Sequence, residues 1–326
     1  MKILVTGGGG FLGSSICRQL QQLGHEVIAF QRSPSPELSD SGIEVIQGDI
    51  CSLRELKSAA NGCQAIIHTA GKAGIWGSLA EYERINVGGT TNVIETCRSS
   101  RIPILVHTSS PSVVHASGDI EGGDESLPLA EHFQAPYPAT KAEAEKRVLA
   151  ANSADLKTTA LRPHLIWGPN DPHILPRLAA KVRRGKLALP GAEKKIDTVY
   201  VDNAARAHVN ALADLAGEAR SAGKAYFITN DEPLPQGEII SRLLAAMGVQ
   251  AEIRPVPAGL ARAAGAICET TWRLLGLKSE PPITRFSATQ LSTAHWFDIS
   301  AAKRDLSYRI DFSIEEGLAA LRKSFT

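Results

Sequence analysis

Residues 1–13 read MKILVTGGGGFLG, an apolar run that passes directly into a glycine-rich stretch. The run Lys2–Val5 has the composition of a buried strand, and Phe11–Leu23 has the spacing of an amphipathic helix. Glycines in this context predict a turn where backbone N–H groups at a helix N-terminus bind a pyrophosphate that a Cβ would obstruct. Because the stretch follows a strand and opens a helix, we interpret it as a dinucleotide-binding turn rather than a flexible loop.

The glycines at three-residue spacing have different roles in this turn. The first two let the phosphates approach the backbone, and the third lets the helix pack closely on the strand. The residues of the turn that we assign to the cofactor are Gly7, Gly10, Phe11, Leu12 and Gly13.

Strands and helices alternate through the first half of the chain. Further strands are predicted at Glu26–Phe30, Ile43–Gln47, Gln64–His68, Ile104–His107 and Thr158–Leu161, and helices at Leu79–Cys97 and Ala139–Ala151. This alternation is typical of βαβ units, and strands as apolar as Ala65–Ile67 are typical of a sheet buried on both faces. The predicted fold class is α/β: a Rossmann-type doubly wound parallel sheet with a smaller, mostly C-terminal α/β substrate subdomain.

The regular alternation ends near a cluster of prolines, Pro163, Pro169, Pro172 and Pro176. Such a cluster indicates that the chain crosses into another subdomain. Later elements are predicted at Asp197–Val201, Asn203–Leu215, Ala225–Ile228, Pro235–Met247, Pro257–Leu277 and Ser313–Lys323, the last with Ser313 and Glu316 at capping-box spacing. We expect an NADP(H)-binding Rossmann domain over 1–165 and about 196–217, and a substrate-binding subdomain over 166–195 and 218–326.

The composition argues against several classes of protein. Of 326 residues 43% are hydrophobic, enough for a sizeable core, and the formal net charge of +1 argues against a nucleic-acid partner. No apolar run reaches the roughly 18 residues of a membrane span, and the first apolar run stops too early for a signal peptide. The five cysteines are scattered without a CxxC pair, which favours reduced thiols over disulfides or a metal site. We therefore expect a cytoplasmic protein without a metal.

The end of the second predicted strand bears on the choice of cofactor. An NAD site usually has an acidic residue here for the ribose hydroxyls, whereas this chain has Gln31 and Arg32. An arginine can bind a 2′-phosphate through charge-assisted hydrogen bonds, so we expect NADP(H), although a solvated loop arginine would look the same. Asp49 after the third strand is placed either to meet the adenine or simply to form a turn.

Tyr137 and Lys141 lie four residues apart and would share one face of a helix in which Pro138 suits the first position. An unperturbed tyrosine has a pKa of about 10, and a nearby lysine cation or an oxidised nicotinamide favours the phenolate, as a proton-transfer group requires. Ser110 follows a predicted strand, where ligands of open α/β sheets bind, and its hydroxyl can bind a reacting carbonyl oxygen. Thr108 and Ser109 compete for that role, and each hydroxyl could instead make a loop hydrogen bond.

Together these motifs resemble the extended short-chain dehydrogenase/reductase family over nearly the whole chain. The glycine turn, Gly48-Asp49, Asn86–Thr90, Thr108–Ser110, the Tyr137/Lys141 pair and Leu161–Pro163 occur in the order of that family. The resemblance implies a catalytic triad of Ser110, Tyr137 and Lys141, with Asn86 on a helix behind it and Pro163 beside the nicotinamide. It implies further cofactor contacts at Ile50, Ala70, Asn86, Thr108 and Pro163.

Other segments resemble the 3β-hydroxysteroid dehydrogenase branch of that family: His68–Gly77, Arg285-Phe286 and His295–Ser300. Within this branch the chain is similar to bacterial 2-alkyl-3-oxoalkanoate reductases of long-chain olefin biosynthesis, through Thr108–Val113, Arg162–Pro169 and Cys268–Trp272. That resemblance implies NADPH-dependent reduction of the 3-keto group of a long-chain 2-alkyl-3-oxoalkanoate to the 2-alkyl-3-hydroxyalkanoate.

A lipid-like keto acid substrate would need an apolar cleft. We expect the helix Pro257–Leu277 to wall this cleft with Trp272 and Leu274, and Trp76 and Trp167 to line it, unless these residues are ordinary packing. A homodimer and an assembly with other olefin-pathway enzymes are the protein partners to consider.

Three other functions remain open from the sequence. An NAD-dependent 3β-hydroxysteroid or sterol dehydrogenase would use the same triad, although Gln31 and Arg32 speak against NAD. A nucleotide-sugar epimerase or dehydratase would need basic contacts, which could come from Arg177, Lys181, Arg183, Arg184 and Lys186. A non-catalytic cofactor-sensing protein does not need the Tyr137/Lys141 pair, so the presence of this pair argues against that function.

Overall fold

The computed structural model describes residues 1–115, 117–182, 185–277 and 279–325. The strands are β1 (Lys2–Thr6), β2 (Glu26–Gln31), β3 (Glu44–Gln47), β4 (Ala65–His68), β5 (Ile104–Thr108), β6 (Ile120–Gly123), β7 (Lys157–Pro163), β8 (Ile166–Trp167), β9 (Lys186–Leu189), β10 (Lys195–Ile196), β11 (Val199–Tyr200), β12 (Ala225–Ile228), β13 (Leu234–Pro235), β14 (Glu252–Pro255) and β15 (His295–Phe297).

The helices include a π-helical turn, Glu83–Gly88, and a 3-10 turn, Pro111–Val113. The α-helices are α1 (Phe11–Gln22), α2 (Pro36–Asp40), α3 (Leu53–Ala59), α4 (Leu79–Tyr82), α5 (Gly89–Ser99), α6 (Pro136–Ala150), α7 (Ile174–Lys181), α8 (Val201–Ala216), α9 (Gln236–Ala246), α10 (Ala258–Leu274), α11 (Arg285–Gln290), α12 (Ser300–Asp305) and α13 (Ile314–Lys323). Within the described residues, no helix is both long and apolar enough to cross a membrane.

A seven-stranded sheet in the order β12-β7-β5-β4-β1-β2-β3 organises the fold. Every neighbouring pair in it is parallel. The strand order reverses between β1 and β4, and in open α/β sheets ligands bind beside such a reversal, at the carboxyl ends of the strands. The predicted Rossmann-type doubly wound sheet is confirmed.

Both faces of this sheet are buried, as the apolar strands predict. In β1, Ile3 and Val5 join the core formed with α1 and α8, while Leu4 joins the core on the opposite face. All three side chains are fully buried. Helices therefore cover both faces, and only the edges at the strand ends are available for a ligand.

The third glycine of the turn sets how closely α1 approaches the sheet. A Cβ at Gly13 would lie 2.1 Å from the carbonyl oxygen of Gly7, far inside contact distance. The helix can sit against the turn only because this Cβ is missing, as the sequence predicts.

Two elements differ from the predicted division of the chain. Ala225–Ile228 lies in the segment that we expected to belong to the substrate subdomain, but it pairs with β7 and extends the central sheet. The strand expected at Asp197–Val201 is only Val199–Tyr200, which pairs with β8 outside that sheet. Asp197, which precedes this strand, is buried, and its carboxylate accepts from Phe297 N at 2.7 Å and lies 2.5 Å from His164 Nδ1.

The C-terminal half contributes smaller sheets and the last helices. One sheet has the order β13-β10-β15-β6, and β14 pairs with β9. At the start of α13 the predicted capping box is present: Glu316 N donates to Ser313 Oγ at 3.2 Å, and Ser313 N donates to Glu316 Oε2 at 2.8 Å.

Gly13→Ala tests the close approach of α1. The added Cβ must displace the turn at Gly7, so we expect the free energy of unfolding to fall by about 1–3 kcal/mol and NADPH binding to weaken. Denaturant unfolding and a fluorescence titration measure the two effects.

Gly259→Ala is the matched control, because Gly259 lies in α10 with nothing near its missing Cβ. Here alanine should stabilise the protein by up to about 1 kcal/mol. Equal effects of the two substitutions would contradict the packing argument.

Candidate active site

A groove of about 540 Å³ runs along the carboxyl ends of β1 to β4. Its lining includes these residues that the sequence assigns to the cofactor: Gly7, Gly10, Arg32, Asp49, Ile50 and Ala70. Phe11, Leu12 and Gly13 form the first turn of α1 behind the groove.

The start of α1 is suited to bind an anion. Gly10 is its N-cap and provides no side-chain hydrogen bond, and the first turn contains no acidic residue. The N–H groups of that turn and the positive end of the helix dipole are therefore available to a phosphate. The glycine turn and the open helix end fit the pyrophosphate of a dinucleotide.

Gln31 and Arg32 occupy the position that selects the ribose substituent. The Gln31 carboxamide packs over the glycine turn, where a Cβ at Gly9 would lie 2.3 Å from it, and its Nε2 donates to Ser33 O at 2.9 Å. Arg32 is exposed and lines the groove. This end of the groove therefore presents a cation instead of the carboxylate that ribose hydroxyls prefer.

Asp49 forms the turn considered from the sequence, and its contact with an adenine stays a prediction. Its Oδ1 accepts a hydrogen bond from Cys51 N at 2.9 Å, which closes a turn, and this bond holds the pKa of the carboxyl below its usual value. Asp49 also lines the groove. The turn fixes the carboxylate at the edge of the cofactor site.

Tyr137 and Lys141 lie on α6, as their spacing predicts. The helix begins at Pro136 and not at Pro138, so Pro136 takes the first position. Pro138 still lies in the first turn, where an N–H has no intrahelical partner to lose. Tyr137 is half-buried and Lys141 is buried.

Ser110 lies beside Tyr137, at the end of β5. It caps the 3-10 turn by accepting from Ser112 N at 3.2 Å, and its hydroxyl also interacts with Tyr137. Burial raises the pKa of Tyr137, and the hydrogen bond with Ser110 opposes this rise. Tyr137 is therefore a neutral phenol at neutral pH, ready to donate its proton.

The two hydroxyls that compete with Ser110 are turned away from this site. Thr108 Oγ1 lies 2.8 Å from His208 Nε2, and Ser109 is buried. The expected cofactor contact of Thr108 therefore does not come from a hydroxyl pointed at the groove. Ser110 is the hydroxyl of the three that adjoins Tyr137.

Lys141 is held by neutral groups. Its Nζ donates to Thr108 O at 2.5 Å and lies 3.4 Å from His107 Nε2. Burial lowers the pKa of Lys141 to about 8, with Glu145 acting weakly in the opposite direction. Nζ of Lys141 is directed at the Thr108 carbonyl, and its effect on the Tyr137 phenolate stays a prediction.

The carboxylate nearest to Lys141 along the helix is already engaged. Glu145, one turn further along α6, forms a buried ion pair with Arg162, at 2.6 Å from Nη2 and 3.0 Å from Nε. Among the described residues no carboxylate lies within ion-pair distance of Lys141, which explains why burial dominates its pKa.

Asn86 connects α6 to the loop after β4. Its Oδ1 accepts from Lys72 N at 2.7 Å, and its Nδ2 donates to Lys72 O at 3.1 Å and to Thr140 Oγ1 at 3.1 Å. Asn86 is presented by the π-helical turn that interrupts the single helix expected over Leu79–Cys97. Asn86 therefore binds the backbone of Lys72 and the side chain of Thr140.

A second cavity, of about 620 Å³, adjoins the cofactor groove. Trp76, Trp272, Leu277 and Phe286 give it apolar walls, and Ala135 and Pro136, which directly precede Tyr137 in the chain, also line it. Helix α10 therefore borders this cleft, and Trp76 and Trp272 lie where a substrate would contact them. The side chains of the predicted triad are not among the described lining residues of either cavity.

Two of the residues expected at the substrate lie elsewhere. Trp167 is fully buried, packs edge-on against Tyr200, and donates from Nε1 to Thr198 Oγ1 at 2.9 Å. Leu274 is 82% exposed and lies outside the cleft lining. The sequence alone does not show where these side chains point, because a tryptophan or leucine near a catalytic motif can face the core, the cleft or the solvent.

The basic residues considered for a sugar diphosphate do not converge on a site. Arg177 pairs with Glu280 at 3.1 Å, and of the described members Arg177, Lys181 and Lys186 none lines either cavity. Arg183 and Arg184 lie outside the described residues.

Comparison with known proteins agrees with this geometry. The profile of the 3-beta hydroxysteroid dehydrogenase/isomerase family matches residues 4–257. The chain belongs to this family. It is 52% identical to a 2-alkyl-3-oxoalkanoate reductase of Stenotrophomonas maltophilia, over 99% of each chain, and 47% identical to one of Shewanella oneidensis, over 98% of this chain and 85% of the relative.

Solved structures support the fold of this 3-beta hydroxysteroid dehydrogenase/isomerase family member. A UDP-glucose 4-epimerase of Thermus thermophilus in complex with NAD superposes with a TM-score of 0.75, at 24% identity, over 100% of this chain and 99% of that one. The chain is an oxidoreductase of this family.

Sequence reasoning missed three residues that shape the site: His107, Glu145 and Lys72. Glu145 could have been found, because Tyr137, Lys141 and Glu145 repeat at the four-residue spacing of one helix face. His107 and Lys72 come from strand ends whose neighbours only the folded sheet brings together.

Tyr137→Phe removes the proton donor and keeps the ring. We expect turnover to fall by at least about a hundredfold, as is usual for loss of general acid catalysis, with NADPH affinity nearly unchanged. Steady-state rates and a fluorescence titration measure the two quantities. Equal loss of both would show that Tyr137 holds the cofactor instead of moving the proton.

The Lys141 ammonium should give the enzyme an alkaline limit. Because burial lowers its pKa to about 8, the cation is present below that pH and is lost as the pH rises through it. We expect kcat/KM for NADPH, which reports the free enzyme, to fall above about pH 8. The pH profile of Lys141→Met should lack this limb, and an unchanged limb in that variant would assign it to another group.

Proposed function

We propose that this enzyme uses NADPH to reduce the 3-keto group of a long-chain 2-alkyl-3-oxoalkanoate to the 2-alkyl-3-hydroxyalkanoate, in olefin biosynthesis. The observation that carries the proposal is the cleft with tryptophan walls that adjoins the cofactor groove and reaches Pro136 at the start of the helix that bears Tyr137. The names of the two bacterial relatives support the keto acid as substrate.

Within this proposal the residues of the triad have separate tasks. When bound, the reduced nicotinamide supplies a hydride to the carbonyl carbon. Ser110 donates a hydrogen bond that orients the carbonyl oxygen, and Tyr137 donates its proton to the same oxygen. Lys141 would stabilise the negative charge left on the phenol and hold the ribose hydroxyls of the cofactor, and Pro163 at the end of β7 would border the nicotinamide.

The preference for NADP(H) rests on Arg32 and Gln31. The exposed guanidinium of Arg32 on the groove is suited to a 2′-phosphate, whereas the Gln31 carboxamide is folded over the glycine turn. Asp49, Ile50 and Ala70 would then border the adenine and ribose part of the groove.

The proposal also covers the division of the chain into domains, the location of the enzyme and its protein partners. We assign cofactor binding to residues 1–165 with about 196–217, and substrate binding mainly to 166–195 with 218–326, although β12 lies in the central sheet and Lys72 and Trp76 of the first segment also line the cleft. We place the enzyme in the cytoplasm, and a homodimer or an assembly with other olefin-pathway enzymes would let a poorly soluble product pass onward.

The proposal is tested by rates with NADPH and NADH, using a 2-alkyl-3-oxoalkanoate. We expect fast NADPH oxidation and slow NADH oxidation. Arg32→Ala should raise KM for NADPH by about 10- to 100-fold, because it removes a charge-assisted hydrogen bond, and should leave KM for NADH unchanged.

Arg98→Ala, at the exposed C-terminal end of α5, is the control for removal of a positive charge. It should change neither value. Oxidation of a 3β-hydroxysteroid with NAD, together with no reduction of the keto acid, would replace the proposed substrate and cofactor by those of a steroid dehydrogenase.

A further inference from the structure

The cofactor groove and the tryptophan-walled cleft share two charged residues. Lys72 and Glu81 line both cavities, and Lys72 Nζ lies 3.0 Å from Glu81 Oε1. A hydride donor and its acceptor carbon must approach to about 3–3.5 Å, so the reaction takes place where the two cavities meet. This ion pair stands at that junction.

The backbone of Lys72 is fixed relative to the catalytic helix. Asn86 binds both its N–H and its carbonyl, and the same side chain binds Thr140, the residue before Lys141. The Lys72 ammonium lies 5.1 Å from the centre of the ring of Tyr82, which is fully buried. The lysine is thus anchored at its backbone while its side chain reaches into the junction.

The other charged residues that line the cleft already interact with neighbouring side chains. Glu269 is buried, and its Oε1 and Oε2 accept from Arg285 N and Nε at 2.7 and 2.9 Å. Arg273 lies 3.6 Å from Glu269 and over the ring of Trp76, and its side chain is 62% exposed. Of the described cations that line the cleft, Lys72 is the one that also reaches the cofactor groove.

Another carboxylate can replace Glu81 as the ion-pair partner of Lys72. Glu81 is 44% exposed and Lys72 25% exposed, and ion pairs at this degree of exposure contribute little net stability. A second carboxylate can therefore replace Glu81 at low cost, and Glu81 can turn to solvent.

We propose that Lys72 binds the carboxylate of the substrate at the junction of the two cavities, in place of Glu81. This inference rests on the proposed function. In a 2-alkyl-3-oxoalkanoate the carboxyl carbon is two bonds from the keto carbon, so a carboxylate bound by Lys72 holds the keto carbon close to the junction of the two cavities. Lys72 then selects β-keto and β-hydroxy acids over neutral ketones and sterols, and it orients C3 while the alkyl chains extend along the apolar walls.

The test compares Lys72→Met with Lys72→Arg, using a stable 2-alkyl-3-hydroxyalkanoate and its methyl ester in the oxidative direction with NADP⁺. For the acid we expect Lys72→Met to raise KM by about 10- to 100-fold, the usual effect of losing a charged hydrogen bond, and Lys72→Arg to restore most of the affinity. For the ester, KM should not change. Lys57→Met, which removes a cation on α3 paired with Glu95 at 3.8 Å, should affect neither substrate.

The possible outcomes distinguish failure of this inference from failure of the proposed function. If wild-type enzyme oxidises neither acid nor ester, the proposed function is wrong. If wild-type enzyme is active and Lys72→Met weakens acid and ester equally, the lysine does not recognise the carboxylate. Weaker NADP⁺ binding in a direct titration, with the acid-to-ester ratio unchanged, would assign Lys72 to a phosphate of the cofactor and overturn the inference.

Discussion

The approach of α1 to the turn after β1 governs the geometry of the whole cofactor groove. A Cβ on Gly13 would lie 2.1 Å from Gly7 O, so the helix can take its place only with glycine there. That contact brings an uncapped helix end to the carboxyl edge of the sheet, beside the loops that follow β2, β3 and β4. Binding of a pyrophosphate, selection of the ribose substituent and placement of the adenine then follow from residues on adjacent strand ends.

The catalytic half of the site depends on burial more than on paired charges. Lys141 is surrounded by the Thr108 carbonyl and His107, while Arg162 engages the carboxylate of Glu145. Burial therefore lowers the pKa of the Lys141 ammonium to about 8 and raises the pKa of Tyr137. A lysine without a carboxylate partner can respond to charge that appears on a neighbouring phenol, because no fixed anion already satisfies it.

Local patterns predicted the parts of this site that depend on neighbours in the sequence. The glycine turn, the Tyr137/Lys141 spacing and the apolar strands each express a short-range constraint, and the structure has them in place. Long-range contacts decided the rest: β12 joins the sheet through β7, and Trp167 is buried against Tyr200. The junction of the two cavities at Lys72 likewise exists only after the loop behind β4 meets α6 through an asparagine side chain.

Isotope transfer tests the central claim most directly. The enzyme is incubated with a 2-alkyl-3-oxoalkanoate and NADPH carrying deuterium at the transferable position, and the product is examined by mass spectrometry. Reduction by the proposed chemistry places one deuterium on C3 of the 2-alkyl-3-hydroxyalkanoate. A keto acid recovered unchanged, from enzyme shown to be folded and to bind NADPH, would contradict the assignment of substrate and reaction.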